Sequence, residues 1–109
     1  MTNLAQTIPS DHITHGVGEP VFPELYERLR NHPRLLELAK AREAYGIAKY
    51  GQTLMTGDDR DTATEIINEM LDAMAYLMKM YMQTGRADFA LTRQIALCNE
   101  LLMYLDAAQ

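Results

Sequence analysis

One cysteine, Cys98, in 109 residues excludes an internal disulfide, and a lone thiol of this kind suits a reducing compartment where it packs as a small hydrophobe. Basic residues are also scarce. Ten Lys and Arg stand against fifteen Asp and Glu, a formal net charge of -5, so the chain has no footprint for a nucleic-acid duplex or an anionic membrane surface. No apolar run approaches the roughly 20 residues of a membrane span, and no basic region leads into an apolar core at the N-terminus. These absences predict a soluble, cytoplasmic protein that is not exported. No segment reads as a strand either. What remains is ordinary apolar content, 48%, over a length that makes one domain with a modest core.

Residues 1–20 mix Thr, Ser, Gly and Pro with isolated apolar positions and show no period, which predicts a flexible N-terminal arm before a single all-α domain over residues 21–109. His12 and His15 are three apart, but Pro9 and Gly16 bracket them and no further ligand type stands nearby, so they read as solvated histidines. Leu4, Ile8, Ile13 and Val17 leave open that the arm packs on a partner subunit. Pro23 suits a first helical position, and a short helix follows until Pro33 interrupts it. A second helix starts there, capped by Asn31 or His32, and runs to Gly51, a left-handed stop residue. Its charges are scattered among apolar residues all round, which predicts packing on several sides. Residues 51–61 then read as a loop.

The next stretch, DTATEIINEMLDAMAYLMKMYMQ at residues 61–83, is the element with chemistry in it. With about 100° per residue, Glu65, Asn68, Glu69, Asp72, Tyr76, Lys79 and Gln83 fall in an arc roughly 100° wide. The rest is apolar. An apolar arc that broad exceeds what one neighbouring helix covers, which places this helix centrally in a bundle and predicts a homo-dimer or homo-tetramer. Glu69-x-x-Asp72 sets two carboxylates on one face, because residues three and four apart are neighbours. Thr62-x-x-Glu65 fits a capping box, so Glu65 has a structural reading beside a catalytic one. Lys79 is seven residues after Asp72 and can pair with it or meet a ligand. The methionines of this helix read first as flexible core filling. Asp88 is placed to cap a fourth helix, on which Leu91, Ile95, Cys98, Leu102 and Leu105 form one stripe. Connections this short favour an antiparallel all-α bundle.

KYGQTL at residues 49–54, then Arg60 and Asp61, then E-x3-E-x2-D running into Ala-Met-Ala-Tyr-Leu, resemble small phage-type MazG-like proteins over roughly residues 34–83. These are all-α nucleoside triphosphate pyrophosphohydrolases. The resemblance implies a MazG-like helical bundle and cleavage of a (d)NTP between the α and β phosphates, giving monophosphate and pyrophosphate, with Mg²⁺ held by helix carboxylates. It also implies the host cytoplasm if the chain is phage-encoded. Glu69 and Asp72 match the E-x-x-D half of the family's metal motif, with Glu65 beside them as a catalytic candidate. The other half, an E-x-x-E pair on the preceding helix, is not matched. Glu37 and Glu43 are six apart on different faces, so only Glu43 is available as a further metal ligand from that helix, and Glu24-x-x-Glu27 lies a whole helix too early.

Neutralising a triphosphate needs cations, and Arg42, Lys49, Arg60 and Lys79 are the candidates, while Tyr50 or Tyr76 can stack on a base. Three functions fit these residues. The first is the Mg²⁺-dependent pyrophosphohydrolase. The second is a MazG-like module that binds a nucleotide or nucleotide-derived signal without hydrolysing it, and the third is a structural helical oligomer whose polar face has no ligand.

Overall fold

A computed structural model describes residues 17–58 and 60–108. The arm residues before Val17, with His12, His15, Leu4, Ile8 and Ile13, lie outside the described residues. Described chain falls into two units joined at the Arg60–Asp61 peptide bond. It is all-α apart from one two-stranded ribbon.

Residues 17–60 contain β1 (Val17–Pro20), α1 (Phe22–Arg28), α2 (Pro33–Tyr50) and β2 (Met55–Gly57). The two strands correct the expectation of none. β1 pairs antiparallel with β2, Val17 opposite Gly57 and Pro20 opposite Met55, with an irregularity between. Strands of four and three residues are too short to show a period of two, which is why the sequence read as arm and loop. The approach depends on Gly57, where a Cβ would run into the Val17 carbonyl oxygen. Glu19 donates its amide to the Thr56 hydroxyl at 3.0 Å, and Val21 donates to the Leu54 carbonyl at 3.0 Å. Proline stands in the first turn of both helices, where its missing N–H costs nothing. α2 ends on Gly51 in the left-handed region at φ 81°, whose amide returns to the Ile47 carbonyl. α2 holds no buried residue, and Leu35, Leu38, Tyr45 and Ile47 are exposed, so the described residues of this unit do not pack it on several sides.

Residues 61–108 form a helical hairpin of α3 (Thr62–Thr84) and α4 (Asp88–Ala107). α3 is capped by Asp61 in extended geometry, its carboxylate accepting from the Thr64 amide at 3.2 Å and the Thr64 hydroxyl at 2.7 Å. The Thr62–Glu65 capping box is therefore displaced one residue. Asp61 offers two acceptor oxygens where Thr62 offers one hydroxyl, and it leaves Thr62 inside the first turn. Ile67 and Cys98 form the seam, with Ala63, Met70, Met74, Leu101, Leu102 and Leu105 packed around them. Burying Ile67 stabilises the contact by about 1.5–3 kcal/mol. Leu91 and Cys98 of the predicted α4 stripe are buried, and Leu102 and Leu105 are half-buried. Ile95 is instead half exposed. Among the described residues no helix is long and apolar enough to cross a membrane.

The turn between the helices carries strain. Gly85 ends α3, and Ala87, not Asp88, stands before α4 with φ 77°, the one positive φ of a non-glycine among the described residues. A Cβ in that region costs about 1–2 kcal/mol, of which glycine's greater unfolded-chain freedom takes back a part. Ala87→Gly should raise the urea midpoint of the protein, by up to about 1 kcal/mol in stability. An unchanged or lower midpoint would show that the turn is not strained.

Candidate functional site

The α4 contact fixes the rotation of α3 and turns its polar face to solvent. Glu69, Asp72 and Lys79 are exposed there, Glu65 and Asn68 are half-buried, and Tyr76 is 71% exposed. At the spacing of neighbours on a helix, Glu65, Glu69 and Asp72 make one acidic row, and Tyr76 and Lys79 continue it toward the C-terminus. The helix rises about 1.5 Å per residue, so Glu69 to Lys79 spans roughly 15 Å. Two carboxylates, an unpacked aromatic ring and an ammonium thus lie in order along one helix. Oxygen donors of this kind suit Mg²⁺, which keeps several waters and takes one or two carboxylates along with substrate phosphates.

Glu43 sits in the other unit and has a different environment. One of its carboxylate oxygens accepts a hydrogen bond from the Tyr26 hydroxyl and the other accepts from the Thr53 hydroxyl at 2.5 Å. The side chain therefore ties α1, α2 and the segment before β2 together. These two bonds, Thr53 first, hold the Glu43 carboxyl below its ordinary range. Partial burial and the hydrogen bond it donates push the Tyr26 phenol up to about 12. Neither Tyr26 nor Thr53 was picked out by the sequence. They lie seventeen and ten residues from Glu43, and no local period links them.

Three further candidates converge at the end of α2. The Lys49 ammonium and the Arg60 guanidinium each lie 5.2 Å from the Tyr50 ring centroid, within cation–π range. Arg60 is also held by Asp58, which accepts its amide at 3.1 Å and faces its guanidinium across 3.6 Å. Arg60 Nε is buried without a hydrogen bond. Asp58 is another residue the sequence did not single out. Two turns earlier, the Arg42 guanidinium covers the Tyr45 ring at 4.7 Å. Tyr50 is thus a half-buried ring flanked by cations, and Tyr76 is an open one.

Among the described residues no group of three or more His, Cys, Asp or Glu side chains is arranged to hold a metal ion. Comparison with protein-family models, with characterised proteins and with solved structures gives no match for the chain.

The Glu43 tie predicts a pH dependence. A carboxyl whose folded pKa is depressed contributes stability above its unfolded pKa, and that contribution is lost as pH falls through the folded value. Asp61 behaves in the same sense through its bonds from Thr64. Replacing Thr53 by Val should lower the melting temperature, and by more near pH 7 than at an acid pH below the depressed folded value of Glu43. An equal deficit at both pH values would mean that Thr53 acts through packing alone.

Proposed function

We propose that the chain is a Mg²⁺-dependent nucleoside triphosphate pyrophosphohydrolase of the MazG-like kind, yielding monophosphate and pyrophosphate. The observation that carries this reading is the solvent-facing row Glu69, Asp72, Tyr76 and Lys79 on α3. Glu69 and Asp72 would hold the ion, which when bound supplies Lewis-acid polarisation of a phosphoryl oxygen. Glu65, one turn before Glu69, takes the proton of the water whose oxygen bonds to the α phosphorus as the bridging oxygen leaves with pyrophosphate. Lys79 neutralises ligand charge. Tyr76 is the better base platform, because its ring is open whereas the Tyr50 ring is already flanked by Lys49 and Arg60.

A second reading, nucleotide binding without hydrolysis, is favoured by one observation. Both oxygens of Glu43 are engaged by Tyr26 and Thr53, which gives that carboxylate a structural task in place of a ligand's. In this reading Arg42, Lys49 and Arg60 hold phosphates. The deciding experiment offers the purified protein the eight common ribo- and deoxyribonucleoside triphosphates with Mg²⁺ and follows pyrophosphate. Metal-dependent turnover selects the enzyme. A raised melting temperature without turnover selects the binding module, since a ligand for the folded state alone stabilises it.

Asp72→Asn keeps the shape of the side chain and removes its charge. Turnover, or metal-dependent nucleotide binding, should fall by roughly a hundredfold or more while the metal-free melting temperature stays level or rises, as carboxylate repulsion is relieved. A variant with unaltered metal response would reduce the acidic row to a solvated face. Tyr76→Ala should weaken nucleotide binding by roughly tenfold, the scale of one lost base stack, and Tyr76→Phe should retain it. Equal affinities for all three proteins would remove the base-stacking role.

Self-association belongs to the same proposal. Ile66, Leu71, Met78 and Tyr81 on α3, with Ile95 and Leu97 on α4, are exposed in the single chain, and a second copy would cover them in a homo-dimer or homo-tetramer. Light scattering at micromolar concentration should give at least a dimer, and Leu77→Asp should disrupt assembly or folding by placing a charge among packed residues. A clean wild-type monomer would sink this part of the reading.

A further inference from the structure

We draw no further inference here: the strongest candidate, the exposed apolar stripe of Leu35, Leu38 and Tyr45 along α2, is a helix face for which nothing among the described residues shows what covers it.

Discussion

Where Ile67 meets Cys98, the rotation of α3 about its own axis is fixed, and with it everything that the helix shows to solvent. Counting about 100° per residue from Ile67, Asp72 lies roughly 140° round the helix, Tyr76 roughly 180° and Glu69 roughly 200°. The carboxylates are therefore exposed because the seam is on the other side. Asp61 makes the same setting from the N-terminal end, since its bonds to Thr64 begin the helix at Thr62 and leave no play in the first turn. A shift of one residue in either place would rotate the acidic row toward α4. There its charges would need partners that the seam, built from Ala63, Met70, Met74 and leucines, does not contain.

One neighbour cannot cover an apolar arc as broad as that of α3. The hairpin buries Thr64, Ile67, Leu91 and Cys98 and leaves large apolar side chains open on both helices. This constraint ties the functional reading to the assembly reading. A polar face used for a ligand has to stay open, so the surface available for association is the apolar flank, and the two needs do not compete for the same residues.

How much of this was legible in the sequence follows the range of each signal. The four helices were readable because proline at the starts of α1 and α2, glycine at Gly51 and Gly85, and a 3.6-residue period act within one turn or two. The acidic row was readable for the same reason. The ribbon was not, because its pairing joins residues far apart in sequence through backbone groups and needs from the side chains little more than the absence of a Cβ at Gly57. Glu43 was visible as a carboxylate but not as a tie, since Tyr26 and Thr53 reach it through tertiary structure. The α4 stripe failed at Ile95 alone, where a period predicts which side an apolar residue lies on but not whether a neighbour arrives there.

The distribution of charge separates two kinds of chemistry along the chain. From Asp61 onward there are seven carboxylates against three cations, whereas seven of the ten Lys and Arg come earlier. All three of the earlier cations that were candidates for phosphate are already stacked on rings, Arg42 on Tyr45 and both Lys49 and Arg60 on Tyr50. Stacking does not spend their charge, because a guanidinium on an aromatic face keeps its in-plane donors for an oxyanion. It does hold the side chain in place, which lowers the ordering cost of binding. The α3 carboxylates Glu69 and Asp72 are exposed on one helix face, where like charges repel unless a cation neutralises them. Electrostatics therefore sets the carboxylates of α3 apart from the ring-stacked cations that precede them, and the two groups pose separate chemical questions.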